Sequence, residues 1–360
     1  MGMTWGKNIK LSIFGESHGK AVGIIVDGLP PGMELNLDLI REELNRRAPG
    51  KNDFSTTRKE SEKFEILSGF FAGRTTGTPL SVIIHNENQQ SGDYEKIRYL
   101  IRPGHADYPG YVKYQGFNDY RGGGHFSGRL TAPLVFAGAC ARQLLAERNI
   151  WVASYIKSIG EIEERDIDLT SPDSELLLHV REKEFPAIFD ETAEKMRDAI
   201  RKAREEQDSL GGVVETVVGN VPPGIGDPFF NSVESNLAQI IFSIPGVKGL
   251  EFGSGFDVTR MKGSQANDCY YLKKNEIKTR SNHNGGILGG ITNGMPLVFR
   301  TAFKPTASIG KAQATVDLEK MTETVLQIKG RHDLCIVPRA VPVLEAAVAL
   351  VLLDLIIDSR

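Results

Sequence analysis

Two stretches of the chain, VDGLPPG at residues 26–32 and VGNVPPG at residues 218–224, end apolar runs and precede helical patterns. These helical patterns then close on similar turns, APG at 48–50 and IPG at 244–246. Pro-Pro-Gly turns before helices also recur by chance, because Pro and Gly punctuate most folds. The shared order of elements nevertheless favours two related halves, and the space between two such halves is a natural ligand site.

The similarity between the two halves continues downstream. TGTPL at 76–80 is matched by NGMPL at 293–297, and Arg129 in one helical pattern is matched by Arg339 in another. We therefore predict one large two-lobed domain over residues 1–360. Its predicted segments are a first half at about 8–150, a second half at about 210–357, and a peripheral excursion at about 160–190, where the sequence is acidic and non-periodic.

Apolar periodicity predicts a mixed fold. Runs rich in branched residues and bounded by Gly or Pro predict strands at 23–27, 80–84, 213–218 and 297–299. Helical spacing of apolar residues predicts helices at 37–46, 132–147, 191–206, 233–242 and 344–357. The class is therefore mixed α and β.

The charge balance limits the classes of partner. The chain has 360 residues, with 43 Lys+Arg against 46 Asp+Glu and a formal net charge of −3. A balanced charge gives no global electrostatic attraction to nucleic acid or to an anionic membrane. Any site for a polyanion must therefore be local.

Cysteine usage and the apolar tracts predict a cytoplasmic protein. Cys140, Cys269 and Cys335 are odd in number and form no CxxC pair, so they indicate neither a disulfide framework nor a zinc cage. Residues 1–7 lack the apolar region of a targeting signal. The most apolar tract, 341–357, is interrupted by two carboxylates and is shorter than the ~20 residues that cross a bilayer. We expect it to be a buried helix, and we expect no membrane partner.

Two glycine-flanked motifs carry histidines suited to proton transfer. GESHG at 15–19 holds His18 at its tip, and RPGHADY at 102–108 holds His105 with Asp107 close by. Imidazole titrates near neutrality, and a neighbouring carboxylate orients it. A histidine in a turn is also often purely structural, so from these residues alone both interpretations stay open.

A third motif is suited to binding an anion. DYRGGGHFSGRLT at 119–131 leads directly into a helix, and its glycines let backbone N–H groups approach a phosphate closely. Ser127 and Arg129 would add side-chain contacts. Arg46 and Arg47 end the first predicted helix, where cations are also favourable for structural reasons alone.

Three further loops add polar groups. KGRHD at 329–333 places a cation, an imidazole and a carboxylate on successive residues, while NHNGGILGG at 282–290 and KPTAS at 304–308 suit a flat ring with a phosphate tail. A solvated charged loop and close packing of glycines are the structural alternatives. Metal-ligand spacing, a nucleophile–base pair and a complete nucleotide-binding GxxxxGK[ST] are all lacking in the sequence. The loops therefore predict a phosphorylated, acidic small molecule as the ligand and no metal.

Taken together, these motifs resemble those of the chorismate synthase family, over about residues 5–353. The resemblance implies a lyase that converts 5-enolpyruvylshikimate 3-phosphate to chorismate and phosphate by 1,4-anti elimination, the last step of the shikimate pathway. It implies reduced FMN as cofactor, without net redox change. It also implies an α+β fold, a β-α-β sandwich with a helical layer between two antiparallel sheets, assembled as a homotetramer.

The resemblance also implies roles for individual residues. His18 matches a histidine that protonates the departing phosphate, His105 one that lies near the flavin, and Asp333 a carboxylate that removes a proton from the flavin. The implied substrate contacts are Arg46, Arg47, Ser127 and Arg129. The implied flavin contacts are His125, Phe126, Ser127, Pro245, Gly246, Gly289, Lys304, Pro305, Thr306, Ala307, Ser308 and Arg331.

The chain departs from the family pattern at a few positions, namely Ala48, Asp53, His125 and Leu334. The first three remove positive charge that members of the family often carry around the site. Some members reduce their own flavin with NADPH, and a pyridine-nucleotide contact is sometimes assigned near Asp53. Because the sequence holds no second nucleotide motif, we expect dependence on an external flavin reductant.

Two other functions stay open. A flavin-dependent oxidoreductase acting on a phosphorylated acidic metabolite would use the same kind of pocket, but it would consume reduced flavin in step with its substrate. A nucleic-acid-binding protein would use RGGG at 121–124 as an RGG element. The balanced net charge and the lack of repetition argue against nucleic acid as a partner.

Overall fold

The chain contains both strands and helices, in runs of one or more strands separated by one or more helices. The structure is a computed structural model, and it describes residues 2–50, 62–87, 92–95, 98–328 and 333–358. In chain order the strands are β1 (Thr4–Trp5), β2 (Lys10–Gly15), β3 (Ala21–Asp27), β4 (Phe64–Ser68), β5 (Phe70–Phe71), β6 (Arg74–Thr75), β7 (Leu80–His85), β8 (Trp151–Ile159), β9 (Ile162–Glu163), β10 (Gly212–Gly219), β11 (Val247–Phe252), β12 (Tyr270–Lys273), β13 (Glu276–Thr279), β14 (Ile287–Leu288), β15 (Ile291–Thr292), β16 (Leu297–Phe303), β17 (Gln313–Asp317) and β18 (Thr322–Leu326). The helices are α1 (Leu37–Arg47), α2 (Gly92–Glu95), α3 (Asp107–Lys113), α4 (Thr131–Ala146), α5 (Ser174–Val180), α6 (Asp190–Glu205), α7 (Val233–Ile241), α8 (Gly263–Ala266) and α9 (Val337–Asp358).

Two five-stranded antiparallel sheets form the outer layers. The first has the order β1-β2-β3-β7-β4, and the second has the order β11-β16-β10-β8-β9. In the first sheet, Ile24 of β3 pairs with Val82 of β7, and both side chains are buried. Alternation along β3 and β7 therefore turns one apolar face toward the interior.

The two sheets repeat one topology. In each, four strands numbered by their order in the chain lie in the spatial order first, second, fourth, third: β2-β3-β7-β4 in one sheet and β8-β10-β16-β11 in the other. A helix, α1 or α7, follows the second strand, and a long helix, α4 or α9, follows the fourth. The repeated turn motif thus marks the same point of both halves. Since β8 holds the place of β2, we propose that the second half begins at Trp151, before the predicted boundary near 210.

A helical layer lies between the sheets. Helix α4 packs on β3 and β7 of the first sheet, α9 packs on β8 and β10 of the second, and the two helices pack on each other. Both are apolar around most of their circumference, as expected for helices buried on all sides. This arrangement confirms the predicted α+β sandwich with its helical layer between two antiparallel sheets.

The long helix α9 differs from its predicted bounds. It begins at Val337 rather than near 344. Pro338 is tolerated in the first turn, because backbone N–H groups there have no intrahelical carbonyl to bind, so the N–H that proline lacks costs no hydrogen bond. Residues Val337–Ile357 are long and apolar enough to cross a membrane, yet 94% of the most apolar stretch is buried inside this fold. The carboxylate of Asp354 accepts backbone N–H groups of Asn8 and Ile9, both at 2.6 Å. Its charge is thereby compensated in the core.

The peripheral excursion covers the outer face of the second sheet. Leu177 and Val180 of α5 pack with Tyr155, Val217 and other residues in a small separate hydrophobic cluster. The segment at 160–190 therefore contains β9, α5 and the start of α6, and it shields strands that would otherwise face water.

The contact between α4 and α9 yields a stability prediction. A Cβ added at Gly138 of α4 would lie 2.3 Å from the Cα and the Cβ of Ala346 on α9. Gly138→Ala should therefore lower the free energy of unfolding by about 1–3 kcal/mol through overpacking, although alanine favours an isolated helix by about 1 kcal/mol. Urea unfolding followed by circular dichroism measures the change.

The matched control is Gly263→Ala at the start of α8, where an added Cβ meets nothing within 4 Å. This variant should unfold like the wild type. A Gly138→Ala protein as stable as this control would show that the two helices do not require the close approach.

Candidate active site

A cavity of ≈ 580 Å³ opens between the two halves at the start of the helical layer. The first half contributes Arg47 at the end of α1, His105 before α3, and the loop leading to α4. The second half contributes residues 242–248, residues 303–308 and the first turns of α9. A smaller cavity of ≈ 190 Å³ shares Tyr94 and Arg102 with it as walls. The volume of the larger cavity lies within the ~300–1,000 Å³ that is usual for small-molecule sites.

The loop after β2 holds His18 immediately behind the cavity wall. The backbone N–H of Ser17 donates to Gly124 O at 3.2 Å, and its hydroxyl donates to Gly122 O at 3.1 Å. The His18 side chain is buried and packs edge-on against the Tyr94 ring, with centroids 5.1 Å apart. Gly122 and Tyr94 both line the cavity, so His18 lies directly beneath its surface.

Gly122 is required at its position for two reasons. Its φ is +59°, in the left-handed region that favours glycine, and an added Cβ would lie 2.3 Å from His18 Cδ2. The glycine run at 122–124 therefore lets the loop before α4 close over His18, as well as exposing backbone toward the cavity.

Asn86, which follows β7, connects His18 to Arg129. Its side-chain amide donates to Glu16 O at 3.0 Å and to Gly19 O at 2.9 Å, and its Oδ1 accepts from Arg129 Nε at 3.0 Å. Asn86 was not predicted as a site residue. Its signal in the sequence is weak: it is a polar side chain directly after a predicted strand.

His105 is oriented by Asp107, as its motif predicted. Its Nδ1 lies 2.6 Å from Asp107 Oδ1, and because a carboxylate only accepts, Nδ1 carries the proton in this pair. Arg102 donates to both carboxylate oxygens at 2.7 Å. Burial alone would raise the pKa of Asp107, but hydrogen bonds from Arg102 and His105 outweigh it and hold the pKa well below its usual range.

Arg47 and Arg129, which both line the cavity, converge on one carboxylate. Arg47 Nη1 lies 2.7 Å from Glu62 Oε1, and Arg129 Nη1 lies 2.9 Å from both Glu62 oxygens. Each of the three side chains is only 3% exposed. Two of the predicted substrate-binding cations therefore lie side by side, in a place from which water is largely excluded.

The start of α9 adds a second carboxylate and a further cation. Asp333 Oδ2 lies 2.5 Å from Arg339 Nη1, and Arg339 Nε donates to the carbonyl of Arg47 at 3.1 Å. Both residues line the cavity. Arg339 was not predicted as a site residue, although the similarity between the halves had paired it with Arg129.

Most of the predicted flavin contacts lie along the second-half wall and the loop before α4. The cavity is lined by His125, Phe126, Ser127, Pro245, Gly246, Lys304, Pro305, Thr306, Ala307 and Ser308. The Thr306 hydroxyl is buried and has no hydrogen-bond partner within the described part of the chain. Lys304 Nζ donates to Gly104 O, which joins the two sides of the cavity.

Two predicted contacts, Arg46 and Gly289, are not brought to the cavity. Arg46 points away from it and pairs with Glu43 and Glu345, both at 2.6 Å, in a buried ionic cluster. Gly289 lies in the turn between β14 and β15. Arg331 falls outside the described residues, as does Asp53, the position of a predicted departure.

The buried thiols are poor candidates for nucleophiles. Burial raises the pKa of both Cys140 and Cys335 to about 12.

Among the described residues, no three His, Cys, Asp or Glu side chains form a group that could hold a metal ion. The arrangement is thus one of cations, imidazoles and polar backbone facing a partly apolar cavity.

Comparison with known proteins assigns relatives to nearly the whole chain. Residues 9–357 match the sequence model of a family described as "Chorismate synthase". The "Chorismate synthase" of Thermococcus kodakarensis is 51% identical over 356 residues, covering 99% of this chain and 98% of that protein. The same-named protein of Pyrococcus abyssi is 48% identical over 356 residues, with coverage of 99% and 98%. A solved structure, "Crystal Structure of Chorismate Synthase", superposes with a TM-score of 0.77 at 30% identity, covering 98% of this chain and 93% of that one.

The Asp107 ion pair gives a pH-dependent prediction. Because its pKa is lower in the folded than in the unfolded chain, the carboxylate stabilises the fold above its ordinary pKa of about 3.9 and loses this effect as the pH falls below it. Asp107→Asn should lower the free energy of unfolding by about 1–3 kcal/mol at neutral pH. The gap from wild type should shrink as the pH falls from about 5 toward 3.

Urea unfolding at a series of pH values measures this gap. A difference between wild type and Asp107→Asn that stays constant from neutral to acid pH would contradict the assignment of an ionised, ion-paired Asp107.

Proposed function

The chain belongs to the chorismate synthase family, and we propose that its active site is the cavity between the two halves. As a lyase of the shikimate pathway, it forms chorismate from 5-enolpyruvylshikimate 3-phosphate. The C–O bond to phosphate breaks, a ring hydrogen leaves as a proton, and a new ring double bond forms. The observation that supports this site most is the convergence of Arg47, Arg129, His105 and Asp333, from distant parts of the chain, on one cavity, with His18 directly behind its wall.

The buried arginines neutralise the negative charge that develops on the departing phosphate. Arg47 and Arg129 are almost entirely buried, and charges in a water-excluded site interact more strongly than at a surface. In this proposal they hold the phosphate and Ser127 contributes a hydroxyl. His18, directly behind the Gly122 part of the wall, is assigned as the source of the proton that the phosphate takes up as the bond breaks. Arg46 has no part in the proposal, because its guanidinium is engaged with Glu43 and Glu345.

The residues of the cavity fit a flavin mononucleotide. Phe126 and Pro245 offer apolar surface for a flat ring, the buried Thr306 hydroxyl lacks a described partner, and Lys304 adds a positive charge. Bound reduced FMN supplies an electron that the substrate returns, so the reaction has no net redox change. His105 lines the cavity and Asp107 holds its Nδ1, so this proposal assigns the other ring nitrogen, Nε2, to the cofactor.

Asp333 is assigned the proton that leaves during turnover. Its carboxylate lines the cavity and is held by Arg339 at 2.5 Å, so an Oδ atom would be placed to accept that proton while the ion pair fixes its position. Arg339 also donates to the Arg47 carbonyl, so the proton acceptor and the phosphate-binding cation share one scaffold.

We further propose a cytoplasmic homotetramer that depends on an external flavin reductant. Phe229 and Phe230 are 84% and 98% exposed with their rings 6.3 Å apart, and exposed aromatic pairs of this kind favour an interface. Analytical ultracentrifugation measures the assembly. A monomer at micromolar concentration would contradict it.

An anaerobic assay tests the function. Purified protein with dithionite-reduced FMN and 5-enolpyruvylshikimate 3-phosphate should release chorismate and phosphate in equal amounts, with many turnovers per flavin. Consumption of one reduced flavin per product would instead indicate the oxidoreductase alternative, and no product would contradict the proposal.

Replacement of His18 tests its role as the acid. His18→Ala should lower kcat by roughly 10²–10⁴, while FMN still binds, because His18 lies behind the wall rather than along it. Steady-state rates and a flavin titration measure the two effects. A rate near that of the wild type would remove His18 from the mechanism.

Replacement of Arg129 tests the division between substrate and flavin contacts. Arg129→Ala should weaken binding of the phosphorylated substrate on the order of ten-fold or more, with a smaller effect on FMN. Calorimetric titration of each ligand measures both. A larger loss of FMN affinity than of substrate affinity would refute this division.

A further inference from the structure

We propose that Glu62 is the internal counter-ion of the phosphate subsite, and that its carboxylate yields its place between Arg47 and Arg129 to the anionic group of the substrate. This inference rests on the proposed function, which assigns the phosphate to these two arginines. It adds a residue that tunes affinity for the substrate without touching the reacting atoms.

The contacts of the two arginines divide into two kinds. Glu62 accepts from Nη1 of each guanidinium. Other donors of both arginines bind neutral oxygens of the described chain: Arg47 donates to Thr131 Oγ1 at 3.1 Å and Gly128 O at 2.8 Å. Arg129 donates to Asn86 Oδ1 at 3.0 Å and His85 O at 3.2 Å. Both guanidinium groups are therefore held by the scaffold without the help of Glu62.

The two Nη1 groups thus point at one position, and that position suits an oxyanion. A carboxylate and a phosphate present similar oxygens to an arginine, and both accept charge-assisted hydrogen bonds. The Glu62 carboxylate occupies the position in the structure, with 3% of its side chain exposed. It resembles the ligand group that the arginines would bind.

Charge decides which anion remains. In the ion pairs that the described part of the chain shows here, two arginines and Glu62 carry a combined charge of +1, from two positive charges and one negative charge. A phosphate monoester brings about −1.5 to −2, and a second anion within a few ångströms of the Glu62 carboxylate would be strongly repelled in this low-exposure site. If the phosphate replaces the Glu62 carboxylate, its negative charge nearly neutralises the two arginines. The Glu62 carboxylate is therefore the group that moves.

The alternative is that Glu62 is a strut that stays in place and keeps the arginines aligned. The two roles predict opposite signs for its removal. A counter-ion competes with the ligand, so its loss tightens anion binding. A strut organises the site, so its loss weakens binding.

Calorimetric titration of inorganic phosphate into the full-length, flavin-free protein separates the two. In Glu62→Gln the side chain keeps its shape and loses its charge, and Kd for phosphate should fall on the order of ten-fold relative to wild type. Glu65→Gln is the matched control. Glu65 lies three residues from Glu62, its side chain is 61% exposed, and the substitution removes the same charge. Its Kd should equal that of the wild type.

An unchanged or higher Kd in Glu62→Gln would overturn the inference and leave the proposed function intact. If phosphate bound neither to the wild type nor to Glu62→Gln, the inference and the proposed function would both be overturned, because the arginine pair would then not be an anion site. An equal fall of Kd in Glu65→Gln would also overturn the inference, because the effect would then come from the net charge of the protein and not from the position of Glu62.

A second variant guards against misfolding. Glu62→Asp keeps the charge but shortens the side chain by one methylene group, so the carboxylate should lose contact with one arginine. Kd for phosphate should then fall by a smaller factor than in Glu62→Gln. In the loaded enzyme, both variants should lower KM for the substrate more than they change kcat. A raised KM with folded protein, judged by cooperative unfolding, would show that Glu62 is a strut.

Discussion

The site depends on the contact between α4 and α9, the long helices of the two halves. Gly138 lets the helices approach so closely that a single methyl group would meet Ala346. Each helix is the last element of its half, and its N-terminal turn opens on the cavity, preceded by Ser127 and Arg129 in one half and by Asp333 in the other. Packing of two apolar helices in the core thus brings together polar loops that are about 200 residues apart in the sequence. Both helix N-termini add partial positive charge on the side where the anions are expected.

The charged groups around the cavity are held in pairs rather than left to solvent. Glu62 lies between two arginines, Asp107 between Arg102 and His105, and Asp333 against Arg339. Burial of an unpaired charge is costly, so an anion site built from buried arginines needs partners that stabilise it before the ligand arrives. The pairing fixes donors in advance at the places where charge develops in the reaction.

Much of the fold could be read from the sequence, because its elements carry strong local signals. Helices predicted at 132–147 and 233–242 appear as α4 and α7 within a residue or two, and the repeated turns marked the equivalent points of the two halves. The site was harder to predict. Arg46 and Arg47 are adjacent on α1 and lie about 100° apart around the helix, so only one faces the cavity, and the sequence does not say which. Asn86, Glu62 and Arg339 act through long-range contacts, and such contacts leave no periodic pattern in the sequence.

The most direct measurement is a structure of the protein with reduced FMN and 5-enolpyruvylshikimate 3-phosphate, obtained without oxygen. This account predicts the substrate phosphate within about 2.7–3.2 Å of the Arg47 and Arg129 guanidinium groups, the Glu62 carboxylate displaced, and the flavin ring along the Lys304–Ser308 wall near His105. A phosphate bound elsewhere, or a flavin seated in the smaller tyrosine-lined cavity with the arginine pair still closed on Glu62, would contradict it.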